Sequence, residues 1–266
     1  MFSKDINEGI SMQQILDNEY IDMYNITPDN FWVALEHIGR YEYAKWFVNK
    51  RNYENVLDIA CSNGFGCEKL GETAKSVVGV DIDKKLLEQA RKRHVDKANI
   101  SYMRIDIDNE SLSTRMAEKK FCVVTCFETI EHIEYPERFL TELKDILKRD
   151  GRILISIPAA EFESVDEKGN VKNPHHKHLF DEERIEKLIE KSRLEVEFVL
   201  GQSMVNLLMR QHNAYCSRNP GKEGNTTSNF LVTPEAMDYY IKMFAYPIKD
   251  DIENSYSRIY VLKHRK

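Results

Sequence analysis

Two stretches of this chain hold chemistry-bearing residues at spacings that constrain their use. Residues 55–66, NVLDIACSNGFG, run from an apolar strand segment into a turn of small residues that opens a helix. Small side chains let backbone amides come close to a ligand, at a helix start where partial positive charge favours anionic groups. The next apolar run, VVGVD (77–81), ends in Asp81. At that point of a doubly wound sheet a carboxylate accepts the ribose hydroxyls of an adenosyl group. A glycine-rich turn serves dinucleotide dehydrogenases by the same logic, so an NAD enzyme is the competing reading of this region.

The second stretch is ETIEH (128–132), followed downstream by NPHHKHLF (173–180). Histidine, with an ordinary pKa of about 6.5, suits removal of one proton from an acceptor. His132, His175, His176 and His178 are therefore the candidate bases, with His132, His175 and His178 as the working set. The structural alternatives are a helix-start residue bonded to Glu128 for His132 and a solvated turn for the loop. Glu128, Glu131 and His132 fall at i, i+3 and i+4 and share one helical face. With a loop histidine they offer two carboxylates and two imidazoles to a divalent ion.

The elements that must position these groups follow from periodicity. Segments 55–60, 76–82, 100–105, 121–127 and 152–157 read as strands alternating with amphipathic helices, the sign of βαβ units and a parallel sheet. Asp83 caps a helix that buries Leu86, Leu87 and Ala90. Pro136 opens another, whose stripe of Phe139, Leu140, Leu143, Ile146 and Leu147 stops at Asp150 and Gly151. A helix over 181–192 and strands over 194–200 and 257–262 complete a seven-stranded set. Residues 1–50 read as a helical cap with a stripe of Trp32, Leu35, Ile38, Tyr41, Ala44 and Phe47, and residues 51–266 as the main domain. Within it, 202–256 is an insertion holding the turn NPGKEG (219–224) and a helical patch over 234–244.

Composition narrows the class. The chain has 266 residues, 42% hydrophobic and 31% charged, with a net charge of −6. This is the composition of a globular protein with material for a core, and the acidic balance argues against a general polyanion binder. Nucleic acid is therefore not the expected partner. Lys84, Lys85, Arg91, Lys92, Arg93 and Lys97 cluster, but at helical spacing with apolar residues, as on a solvated helix face. No apolar run approaches the roughly 20 residues that span a bilayer, and the start MFSKDINEG lacks an apolar targeting region. The expectation is a cytoplasmic protein that does not engage membranes. Five cysteines without C-x-x-C spacing read as reduced, partly buried thiols.

Taken together, residues 55–66, Asp81 and ETIEH resemble the class I S-adenosylmethionine-dependent methyltransferases. Their first motif runs along a strand into D-x-G/A-x-G-x-G, and their second strand ends in an acid. The resemblance implies a Rossmann-like doubly wound, mostly parallel seven-stranded sheet with N-terminal helices and a late insertion. It implies a cofactor turn of Asp58, Ala60, Ser62, Asn63, Gly64 and Gly66, a ribose carboxylate at Asp81, and adenine neighbours at Ile82, Asp106 and Ile107. Phe127 and Glu128 would line the next edge. Ser62 stands where the family has its middle glycine, so either its φ is negative or the backbone is strained.

EHIGRY (36–41) resembles the helix that closes over the methionine end of the cofactor in bacterial methyltransferases of the polysaccharide-tailoring type. This implies that Arg40 or Tyr41 meets the cofactor carboxylate, the alternative being a plain surface helix with Tyr41 in its core stripe. ISIP (155–158) and the 173–180 loop resemble the same group, and the similarity spans about 33–200. The implied activity is S-adenosylmethionine-dependent O-methylation of a polar small molecule, such as a sugar, nucleotide-activated or phosphoryl-bearing precursor for surface polysaccharide. One rival is a metal-dependent RNA 2′-O-methyltransferase, since small-RNA enzymes of that kind share E-x-x-E-H with a distant histidine. Another is a non-catalytic cofactor-binding module. The expectation is no metal, with turnover surviving EDTA. The acceptor pocket is expected between the 173–180 loop, the amino-terminal helices and the insertion, which carries Arg210, His212 and Lys222. The alternative for that insertion is a homodimer surface.

Overall fold

Valine, isoleucine and leucine crowd the segments that become strands, and each is followed by a polar helix with one apolar face. The computed structural model describes residues 21–27, 30–116, 119–169, 171–218 and 233–266. The chain runs through α1 (Phe31–Lys50), β1 (Asn55–Ile59), α2 (Phe65–Gly71), β2 (Ser76–Asp81), α3 (Lys84–Arg93), β3 (Ile100–Arg104), α4 (Leu112–Met116) and β4 (Phe121–Phe127). After a 3₁₀ turn at Ile130–His132 come α5 (Pro136–Ile146), β5 (Leu147–Pro158), α6 (Glu182–Lys191) and β6 (Leu194–Gly201). Then α7 (Ser203–Arg218), α8 (Pro234–Tyr240), a π-helical turn at Ile241–Ala245, β7 (Ile248–Lys249) and β8 (Ser257–His264) complete it.

The strands form one sheet in the order β3-β2-β1-β4-β5-β8-β6-β7. The pairs from β3 to β5 are parallel, and β8 runs antiparallel between β5 and β6. Both faces are covered, as a parallel sheet requires. Along β1, Val56 and Leu57 point to opposite sides. Val56 joins Phe47, Leu70, Leu87 and Leu154 in the core under α1 to α3. Leu57 joins Phe139, Leu143, Ile185 and Ile189 in the core under α5 and α6.

Seven strands are the expected ones; the eighth, β7, is a two-residue edge from the insertion that pairs with Leu200 and Gly201. Leu147, expected in the α5 stripe, pairs with Phe121 instead, because the chain passes from α5 into β5 without a loop. Asp83 accepts from the Lys85 and Leu86 amides, Asp181 accepts from the Arg184 amide, and Pro136 opens α5. The basic residues of and after α3 are exposed while Leu87 and Ala90 are buried. Cys61, Cys67, Cys122 and Cys126 are free and buried.

The larger difference concerns α1. Besides the apolar stripe it buries Glu36, Gly39 and Arg40, because the insertion covers its other side. Phe31, Leu35 and Ile38 pack with Val205, Met237 and Ala245. Gln202, itself buried, donates to the carbonyls of Glu36 and Ala245. The insertion is thus part of a small third core and not an appended flap. The start MFSKDINEG, the 219–224 turn with Lys222, and the Cys216 side chain lie outside the described residues. No described helix is long and apolar enough to cross a membrane.

Candidate active site

The strand order reverses between β1 and β4, and in doubly wound sheets the crevice beyond the carboxyl ends at that switch point is where ligands sit. From β1 comes a turn in which Ala60 (φ 55°), Ser62 (φ 52°) and Gly64 (φ 87°) all adopt left-handed backbone. Ser62 therefore takes the strained of its two options, and its Oγ is buried without a hydrogen-bond partner. A Cβ on Gly64 would stand 2.4 Å from the Tyr102 hydroxyl, and one on Gly66 would stand 2.1 Å from a ring carbon of Tyr41. Both glycines are required by what packs against them.

Asp81 ends β2 beside this turn. Its Oδ2 accepts from the Ser62 amide at 2.8 Å and its Oδ1 from the Asp83 amide at 2.8 Å. Burial raises its pKa against the pull of those two amides. Ile82, next to it, is 54% exposed, an apolar side chain at the crevice rim. Asp106 closes its own turn, accepting from the Asp108 and Asn109 amides and the Asn109 side chain. Ile107 is partly buried against the sheet core.

Other residues of the expected set lie beneath the crevice and not at its surface. Asp58 is fully buried and accepts from Thr125 Oγ1 at 2.7 Å, Tyr41 at 3.2 Å and Cys67 Sγ at 3.4 Å. Burial pushes its carboxyl up to about 6 despite these donors. Its contact with any ligand runs through the turn it underpins. Tyr41 packs edge-on against Phe127 at 5.1 Å. Asn63 is buried and donates to Asp22 at 2.7 Å. That bond brings residues 21–27 across the turn, where Tyr24 donates to Glu68 at 2.8 Å beneath the Arg93 guanidinium. Sequence reasoning offered no signal for this strap.

Arg40, 1% exposed, is the centre of a buried network. Its guanidinium lies 2.9 Å from Glu128 and 3.3 Å from Glu36, and donates to Ser156 and Gln202. Glu128, at φ 45°, also accepts from the Ser156 and Ser257 hydroxyls. Burial, the largest influence, would raise its carboxyl, but the Arg40 charge and the Ser156 and Ser257 hydroxyls together outweigh it and hold the group below the ordinary range. Arg40 is thus occupied by protein carboxylates.

The histidines separate in role. His178 Nε2 lies 2.9 Å from the Ile133 carbonyl and its Nδ1 3.1 Å from the Arg184 guanidinium. A carbonyl only accepts and a guanidinium only donates, so both ring nitrogens are engaged within the protein and His178 serves as a staple, not as a base. His175 is exposed, its amide bonded to Asn173 and its carbonyl 3.0 Å from His132 Nδ1. It is His176 that meets His132, edge to face at 4.8 Å, with Glu131 below them. Glu163 is a further buried carboxylate here, 3.1 Å from His176 Nδ1, and nothing in its sequence context marks it.

Residues 57–155 match the family described as a methyltransferase domain. The chain is 26% identical over 170 residues to the mitochondrial ubiquinone biosynthesis O-methyltransferase of Schizosaccharomyces pombe, covering 58% of this chain and 61% of that protein. It is 30% identical over 158 residues to the ubiquinone biosynthesis O-methyltransferase of Pasteurella multocida, covering 54% and 65%. The chain thus spans less than two thirds of the length of these curated relatives. Among solved structures it resembles an S-adenosylmethionine-dependent methyltransferase of Clostridium acetobutylicum, with a TM-score of 0.58 at 14% identity over 86% of this chain and 92% of that one. The segment that builds the turn, both crevice strands and Glu128 is therefore the part of the chain that matches a methyltransferase domain, and the fold around it is the one shared with that solved structure.

Proposed function

We propose that this chain transfers a methyl group from S-adenosylmethionine to a hydroxyl oxygen of a small polar acceptor. The observation that carries the reading is the β1/β4 crevice, where a left-handed turn and a strand-end carboxylate meet inside the segment that matches the methyltransferase family. The residues fit the donor. Asp81 is held at the rim by two amides, ready for the ribose hydroxyls, and Ile82 offers apolar surface beside it for the adenine. Asp106 and Ile107 form the far wall. The Ser62 hydroxyl is a buried polar atom that the donor's amino-acid end would satisfy.

When bound, S-adenosylmethionine supplies a methyl group on a sulfonium that departs as a neutral thioether, so no acid is needed. The protein's tasks are alignment, exclusion of water and removal of one proton. Phe127 and Tyr41 keep the floor apolar and rigid. The proton leaves at the histidine rim of His132 and His175, His178 being committed to Ile133 and Arg184. The acceptor enters between the loops after β5, α1 and the insertion. In support, Arg210 lies 5.4 Å over the Phe162 ring, Phe162 approaches Tyr256 at 6.2 Å, and Trp32 approaches His212 at 5.7 Å.

The relatives are named for O-methylation in ubiquinone biosynthesis, and the sequence resembles polysaccharide-tailoring enzymes. The acceptor class proposed is accordingly a hydroxyl on a sugar or comparable precursor, in the cytoplasm. Calorimetric titration with S-adenosylhomocysteine tests the donor site: Asp81→Ala should weaken binding by about 1.5–3 kcal/mol, the value of a hydrogen bond to a charged group. An unchanged affinity would sink the assignment. A mass-spectrometric screen of nucleotide sugars, quinone precursors and RNA then identifies the acceptor. Donor binding without turnover of any of them would leave a cofactor-binding module.

A further inference from the structure

The loop that follows β5 and the segment that leads into β8 are joined at the carboxyl edge of the sheet. The Ala159 amide donates to the Tyr256 carbonyl at 2.8 Å, and the Phe162 amide to the Ala159 carbonyl at 2.9 Å. The Phe162 and Tyr256 rings stand 6.2 Å apart, tilted by 35°. Ser257, next along, donates to Glu128 at 3.2 Å, so this pair of rings borders the crevice. From the insertion, α7 lays the Arg210 guanidinium 5.4 Å over the Phe162 ring.

Charge and hydrogen bonding single out two groups in this corner. Arg258 is tied to Glu161, and Arg40 to Glu36 and Glu128, whereas Arg210 meets the ring and, among the described residues, no carboxylate. A guanidinium stacked on a ring engages its face and leaves the N–H fork in its plane open. Phosphate and carboxylate match that fork in bidentate geometry. The Tyr256 hydroxyl makes no hydrogen bond among the described residues. Burial and the carboxyls of Glu163, Glu128, Glu36 and Glu131 push its pKa up, so it remains a donor. Those carboxyls offer an arriving anion little opposition. Arg40 neutralises Glu128, burial pushes Glu36 and Glu131 toward the neutral form, and Glu163 faces the His176 ring.

We infer that Arg210, held on Phe162, receives an oxyanion carried by the acceptor, a phosphoryl or carboxyl group, while Tyr256 donates to the acceptor's uncharged part. The acceptor class thus narrows from a polar hydroxyl compound to an anionic one. The identity of this ligand as the acceptor rests on the methyl-transfer reading; its contact with Arg210 is measurable without turnover.

The test uses the full chain, with and without S-adenosylhomocysteine, and a matched set of hexoses: glucose 1-phosphate, glucuronate and neutral methyl glucoside. Calorimetry should show one of the two anions binding about 10–100-fold more tightly than methyl glucoside, as a charge-assisted hydrogen bond provides. Which anion leads separates a phosphoryl from a carboxyl source. Arg210→Gln should remove the preference, and Arg210→Lys, which keeps the charge without the fork, should restore part of it. Tyr256→Phe keeps the ring and should weaken all three alike. Circular dichroism and an unchanged S-adenosylhomocysteine affinity show each variant to be folded. Equal binding of anions and methyl glucoside, or a preference that survives Arg210→Gln, overturns the inference and leaves the donor site standing. Affinities unchanged in Tyr256→Phe overturn the role of that hydroxyl. An Arg210-dependent preference in a protein that binds no S-adenosylhomocysteine would instead overturn the methyl-transfer reading and leave the oxyanion contact standing.

Discussion

Ser62 holds its backbone at φ 52° and buries a hydroxyl that meets no partner, two costs that a glycine would not carry. Left-handed backbone costs an L-residue on the order of 1 kcal/mol. Ser62→Gly should therefore raise the free energy of unfolding by about that amount, measured by urea titration. A lower stability would mean that the hydroxyl serves the fold. The position was legible because serine stands where the family pattern has glycine, although the sign of φ was not. Asp81 was legible for a similar reason, as an acid at a strand end. Glu163 and Asp22 were not, since each acts on a residue from a distant segment and carries no local pattern. Among three histidines within four positions, spacing cannot choose. The clamp of Lys177 and His178 on the Glu131 carbonyl makes the choice, turning His176 toward His132 and His178 toward Ile133.

At the scale of elements, the site depends on how closely α1 and α2 approach. The contact is Gly66 against the Tyr41 ring, and Tyr41 cannot swing aside because it is buried and its hydroxyl is tied to Asp58. Gly66→Ala should cost about 1–3 kcal/mol of stability, the range for overpacking a filled core, and should weaken donor binding as the turn shifts. Thermal melts with and without S-adenosylhomocysteine check both effects; an unchanged melting temperature would show that the two helices can separate. The parallel strands announced themselves through β-branched runs, and the helix starts through Asp83, Pro136 and Asp181. A two-residue strand such as β7 has no periodicity to read. The early start of β5 was hidden because Leu147 fits a helical stripe and an extended pair equally well. For α1 the single apolar stripe was half the answer, because burial on the opposite side comes from a segment more than 160 residues later and encloses charged groups.

Those charged groups join the whole molecule. Arg40 links α1 through Glu36, β4 through Glu128, β5 through Ser156 and the insertion through Gln202. One guanidinium serves two carboxylates, and they share it unequally. Glu128 is held below the ordinary range, whereas burial, partly offset by Arg40, pushes Glu36 from 4.5 up to about 7. Between those two values the folded protein binds more protons at Glu36 than the unfolded chain does, so stability falls as pH rises. The contribution of Glu36 is fully present below about pH 4.5 and is lost as pH climbs through about 7. At about 1.4 kcal/mol per pKa unit, the loss amounts to roughly 3 kcal/mol. Glu36→Gln keeps the shape and the Arg40 contact but cannot ionise. Urea unfolding of both proteins from about pH 4 to pH 8 should show the wild type losing stability relative to the variant by about that amount, steepest between pH 5 and 7. The opposite dependence carried by Glu128 lies lower, where acid protonates a carboxylate that Arg40 stabilises, and it is present in both proteins. A difference that stays flat across the range would mean that Glu36 is ionised beside Arg40 throughout. The joint between α1, the sheet and the insertion would then be a fully charged triad and not one carboxylate paired with Arg40 beside a neutral acid.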